Sequence, residues 1–178
     1  SLTWESMQEV DTGPMQFPYT SCVHVVGKSS DQFSSLPQFS GVYKGMKVRV
    51  PTNYDPVTRI YSGLWDHTFK LAWTDNPAWI LHEVVTNDRW GWSAYKPVTM
   101  DLDDVYEAAQ WCDQIIGDPP QPRYTFNGYF QEAMNGREFA LYVAGAFNSI
   151  IWDDMNGTVH LKVDKDDPPV ALFAPENI

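Results

Sequence analysis

The stretch NGREFALYVAGAFNSIIWDDMNGTVHLKV, from Asn135 to Val163, decides the fold class, because its period changes midway. Asn135 supplies an N-cap side chain and Glu138 follows three residues later, a pairing that predicts a helix running through Phe147. That helix is apolar almost all round, which predicts a central position, and Ala140, Ala144 and Gly145 are small enough to admit a closely packed neighbour. Ile150-Ile151-Trp152 then lead into Asn156-Gly157 and a run from Thr158 to Val163. In that run Val159, Leu161 and Val163 alternate with His160 and Lys162. Asn-Gly between such runs predicts a β-hairpin. A helix followed by an antiparallel pair points to an α+β fold.

Further out, the same reasoning places two more helices. Asp101 and Asp104 resemble a capping box, and Leu102, Val105, Ala109, Cys112 and Ile116 form one apolar stripe. A helix is expected from Asp101 to Gly117, with Pro119-Pro120 barring its continuation. Asn76 can cap, Pro77 suits a first helical position, and Ala78, Leu81 and Val85 recur at helical spacing, so a helix from Pro77 to about Thr86 is expected. Strands are expected at Val23 to Val26, Met46 to Val50 and Arg123 to Gln131. Pro51-Thr52-Asn53-Tyr54-Asp55-Pro56 is turn chemistry, and Thr58 to Tyr61 is expected to return against Met46 to Val50 as a long-looped hairpin. The resulting expectation is a β-rich part over residues 1–62. Beyond it, residues 63–178 form an α+β unit with about three helices and a small, mostly antiparallel sheet. No internal repeat or low-complexity tract interrupts it.

The 178 residues are 43% hydrophobic, enough for one domain, or two small ones sharing a core, and too much for disorder. The apolar runs fall far short of the roughly 20 residues needed to span a bilayer. No charged-then-apolar leader opens the chain, so a soluble protein is expected, and its ends at Ser1 and Ile178 suggest a piece of something longer. Twelve basic against 23 acidic residues leave a formal charge of −11, which repels nucleic-acid phosphates and excludes specific nucleic-acid binding from the expectations. Cys22 and Cys112 match no metal or redox spacing and are expected to be separate buried thiols.

The sequence offers little reactive chemistry. His24, His67, His82 and His160 show no metal-binding spacing, and His82 is expected to be a packed or helix-surface residue. Asp153-Asp154 and Asp164, Asp166 and Asp167 lack the order of a calcium loop and are expected to be solvated turn carboxylates. Neither a nucleophile elbow nor a phosphate loop is present, so no metal, no cofactor and no catalytic residue is expected. The alternative is a carbohydrate-binding or glycan-cleaving module that pairs Glu83 or Asp66 with Asp153 beside Trp65, Trp90 or Trp92. Trp65, Trp73, Trp79, Trp90 and Trp92 crowd into 28 residues. They suit a satellite core under a long loop, or interface anchors, with Trp65, Trp90 and Trp92 as the candidates for protein contact.

The runs Gly45 to Pro56, Tyr61 to Asp66 and Phe69-Lys70 through Trp73 to Trp79 closely resemble the lambda-type host-specificity protein J family. The likeness continues through Thr86 to Gly91, the helix after Asp101 and Pro122 to Asn127, and finishes at Phe173 to Ile178. It covers residues 45–178 well and the first 44 more loosely. The resemblance implies a structural fragment of the bacteriophage tail tip hub, located at the distal end of the virion tail. The implied partners are other copies of itself in a homotrimer, neighbouring tail proteins, and a host receptor reached through a distal part outside this sequence. It also implies work by binding rather than by bond-making, in tail assembly, host attachment and DNA delivery, and an acidic wall would let DNA pass without sticking. The family motif supplies no catalytic residue.

Overall fold

The computed structural model of the chain describes residues 41–130, 134–154 and 156–166. The chain divides into two compact units, Ser1–Val42 and Tyr43–Ile178, and the architecture below is that of the second. The expected strand at Val23 to Val26 lies outside the described residues.

In chain order the elements are β1 (Val48–Pro51), β2 (Tyr54–Asp55), β3 (Ile60–Tyr61), β4 (Phe69–Ala72), α1 (Pro77–Thr86), β5 (Thr99–Met100), α2 (Leu102–Cys112), β6 (Ile115–Ile116), β7 (Gln121–Pro122), α3 (Gly136–Gly145), β8 (Ser149–Asp153) and β9 (Thr158–Val163). The fold is α+β, as the sequence predicts: three helices with small sheets around them. Among the described residues three of the four sheets are two-stranded antiparallel pairs, and the largest has the order β5-β9-β8. Within it β8 and β9 are antiparallel, Ile151 opposite Leu161, while β5 runs parallel to β9, Met100 opposite Val159. Val159, Leu161 and Val163 are buried, which is the face expected of them.

The helix at the centre is α1. Asn76 caps it by accepting from the Ala78 amide, Pro77 occupies the first turn, and eight of its ten residues are buried. It packs against α2, α3, β1 and β5. Each large apolar side chain it buries, among them Trp79, Leu81, Val84 and Val85, contributes about 1.5–3 kcal/mol. The sequence reading gave this central place to α3, and the structure corrects it. α3 buries only Ala140, Val143 and Ala144 and leaves Leu141 and Tyr142 exposed. Ala140 and Ala144 do sit against neighbours, but a side chain at Gly145 would meet open space.

Three further expectations change. The strand near Met46 to Val50, seen as β1, pairs with β4 (Val48 opposite Ala72) and not with Thr58 to Tyr61. The latter segment supplies β3, which closes a two-residue ladder on β2. α2 ends at Cys112, capped by Asp113, whose side chain turns inward to bind the preceding loop. Ile115 and Ile116 therefore leave the helix for a short hairpin with β7. The expected strand from Arg123 to Gln131 does not form: the short β7 ends at Pro122, residues 123–130 are irregular, and Gln131 lies outside the described residues. Their backbone is nonetheless anchored: the Tyr124 amide donates to the Cys112 carbonyl at 3.2 Å and the Phe126 amide to that of Asp75 at 2.8 Å. Among the described residues no helix is long and apolar enough to cross a membrane.

Candidate functional site

Two polar clusters stand out, and the loop between β1 and β4 builds the first. Asp55 folds its carboxylate over its own turn, Oδ1 accepting from the Val57 amide at 2.9 Å and Oδ2 from the Thr58 hydroxyl at 2.8 Å. Those bonds, the Val57 amide first, hold Asp55 below the usual carboxylate range. The turn leaves Arg59 at φ 59°, in the left-handed region, and sends its guanidinium inward. There Nη1 donates to Asp113 Oδ1 at 2.7 Å, and Nη2 donates to Asp75. Asp113 Oδ2 accepts from the Tyr61 hydroxyl at 2.9 Å, and that hydroxyl accepts from Trp79 Nε1 at 3.1 Å. One arginine thus ties the loop to the start of α1 and to the end of α2. Burial raises the Tyr61 phenol far above its ordinary range, and the Asp113 charge adds to this.

An aromatic stack surrounds this ion pair. Tyr54 stacks on Tyr61 with centroids 4.5 Å apart, and Trp65 lies flat on Tyr106 at 5.1 Å and edge-on to Trp79 at 5.8 Å. Asn53 Nδ2 donates to the Tyr106 hydroxyl at 3.1 Å, and Trp65 Nε1 donates to the Thr68 carbonyl at 2.8 Å. Phe69 continues the stack onto His82, 5.0 Å away and nearly parallel. His82 is buried within α1, and burial first, then the Arg49 charge, lowers its pKa to about 4.

Of the three candidate interface tryptophans, Trp65 is therefore half-buried in the stack. Trp92 is half-buried too, in a single 3-10 turn (Trp92–Ala94) packed on the core. Glycines close in on either side of it: a Cβ at Gly91 would lie 2.4 Å from the Val84 carbonyl oxygen, and one at Gly136 would lie 2.8 Å from Trp92 Cα. Trp90 is the exposed one, at 39%. The carboxylates considered for glycan cleavage are all engaged. Glu83 is buried, and its Oε2 accepts from Arg49 Nε at 2.9 Å and its Oε1 from Asn87 at 2.7 Å. Burial pushes its pKa up, but the Arg49 and Asn87 hydrogen bonds outweigh this and hold it low. Asp66 accepts from the Thr68 hydroxyl and amide, and Asp153 faces Arg137 at 3.5 Å. Cys112 is a free, buried thiol, its pKa raised by burial, while Cys22 lies outside the described residues.

The second cluster lies where α2 meets β9. Asp101 and Asp104 of the α2 N-terminus approach His160, whose Nδ1 is 3.0 Å from Asp104 Oδ2 and 3.8 Å from Asp101 Oδ2. Asp154 Oδ2 stands 4.0 Å from Nε2 on the other side of the ring, and Trp152 stacks on the imidazole at 5.5 Å. Sequence reasoning missed both clusters. Arg59 and Asp113 are 54 residues apart, and Asp104 and His160 are 56 apart, so no local spacing announces either.

These features define a small α+β module whose best-buried polar groups hold its own loop, helices and aromatic stack together. No protein-family model matches the chain. Over 180 aligned residues, 98% of the chain, it is 33% identical to the tip attachment protein J of Escherichia phage SECphi27. It is also 31% identical over 94% of its length to the tip attachment protein J of Escherichia phage SECphi4. The chain spans 15% of the length of each. Nearly the whole chain is thus homologous to one segment of tip attachment protein J.

Proposed function

We propose that the chain is a structural module of a bacteriophage tail tip. In this reading it holds protein–protein contacts there and, through the rest of its parent protein, contributes to tail assembly, host attachment and DNA delivery. The observation that carries the reading is 33% identity to a tip attachment protein across 98% of the chain. The buried Arg59 cluster is consistent with it, because Arg59, Asp75 and Asp113 bind one another and leave no reactive pair exposed between them. Its partners are further copies of itself in a homotrimeric hub, neighbouring tail proteins, and a host receptor engaged by other parts of the parent. Of the three tryptophans Trp65, Trp90 and Trp92, exposed Trp90 is the one best placed to meet a partner, the other two being half-buried.

The test is immunogold electron microscopy of intact phage with antibodies raised against this chain. Gold at the distal end of the tail, together with antibody block of adsorption, is the expected outcome. Tailed particles that stay unlabelled after mild disruption of the tip, with the protein confined to the lysate, overturn the reading.

A further inference from the structure

We propose that Asp101, Asp104 and His160 form a binding site for a divalent transition-metal ion, a site independent of the tail-tip reading. The topology brings the donors together. β5 pairs parallel with β9, the Asp101 amide donates to the Val159 carbonyl at 2.9 Å, and so the residue that caps α2 lies beside the outward-facing His160. One nitrogen and two carboxylate oxygens from two elements lie within 4.8 Å of one another. Two ligands bound to one ion at about 2.0–2.1 Å and near-tetrahedral angles stand about 3.3 Å apart. The 3.0 Å between His160 Nδ1 and Asp104 Oδ2 already fits, and the 3.8 Å to Asp101 Oδ2 closes with a small side-chain rotation.

The carboxylate oxygens face the imidazole, Asp104 Oδ2 within hydrogen-bond distance of its Nδ1. Asp101 caps the helix through Oδ1, which accepts from the Asp103 and Asp104 amides, leaving Oδ2 toward the imidazole. Asp104 Oδ2 also accepts from the Leu161 amide at 3.3 Å, which fixes its position. The imidazole is oriented from two further directions: Trp152 stacks on its face, and Asp154 stands on the side of Nε2, the place of the carboxylate that orients a metal-bound histidine. An imidazole in the donor set selects against calcium and magnesium and favours zinc or a neighbouring transition metal, with solvent completing the coordination.

The test is calorimetric titration of the EDTA-stripped 178-residue chain with Zn2+, and with Ca2+ for comparison. One saturable equivalent of Zn2+, no matching Ca2+ binding, and a 15N shift at His160 Nδ1 are the expected results. His160→Gln and Asp104→Asn should each weaken the affinity about tenfold or more. Asp101→Asn keeps a capping oxygen and should weaken it too, with unchanged melting of the metal-free protein. The site is overturned if no such equivalent appears, if Ca2+ binds as well, or if the affinity is unchanged in His160→Gln and Asp104→Asn.

Discussion

At the scale of single residues, Asp113 and His82 show how burial sets the cost of a polar group. Asp113 is 6% exposed and holds both Arg59 and Tyr61. Removing one partner of a buried pair strands the other, so Asp113→Ala should destabilise the fold by about 3 kcal/mol, measured by urea unfolding at pH 7. Arg59 retains Asp75, which keeps the loss near the lower end for such pairs. His82 behaves differently because it is buried neutral. Its pKa falls from 6.5 in the unfolded chain to about 4 in the fold. Between those values the unfolded state binds the proton and the folded state does not, so stability falls as the pH drops from 6.5 toward 4 and is fully present above 6.5. The loss amounts to at most about 3 kcal/mol. His82→Leu should flatten the stability profile between pH 6.5 and 4, leaving the lower-pH loss from Glu83, whose lowered pKa makes its contribution disappear as it protonates.

Among the elements, caps separate what could be read in the sequence from what could not. The bounds of α1 and the start of α3 follow from Asn76, Pro77 and Asn135, because a cap is a contact between near neighbours in sequence. The β8–β9 hairpin was legible for the same reason. The end of α2 was not, since its apolar stripe continues to Ile116, whereas the helix ends at Cys112 and its C-cap Asp113 engages Arg59 from 54 residues away. The pairing of β1 with β4 was hidden likewise, because the Asp55 turn and the Arg59 clamp make a private hairpin of the segment that looked like its partner. Both polar clusters depend on contacts of this long-range kind. The caps also differ in depth. Asn76 is fully buried, and its Nδ2 donates to the Ala109 carbonyl at 2.9 Å, whereas Asp101 caps α2 at the surface. Asn76→Ala should therefore cost about 2–3 kcal/mol, combining a lost cap with a lost buried hydrogen bond to the Ala109 carbonyl, which keeps the Asp113 amide, and Asp101→Ala about 1 kcal/mol, both read from thermal melts.

Across the unit, one core joins all three helices and the three-stranded sheet, and it includes Val48 and Val50 of β1 as well as Val163 of β9. Residues 43–178 should accordingly unfold in a single cooperative step, with calorimetric and van't Hoff enthalpies equal. Two separate transitions would show that the β1–β4 layer is an independent unit.

The parallel pairing of β5 with β9 sets the timetable on which this core can be completed. Thr99 waits for Thr158, 59 residues further along the chain, and because β9 lies between β5 and β8 no strand of this sheet has its partner until β9 arrives. During synthesis α1 leaves the ribosome long before α3, which covers much of it, has been made. The α1 surface that faces α3 must stay bare or be shielded by chaperones until α3 has emerged, and a stalled or truncated copy would expose that surface to aggregation.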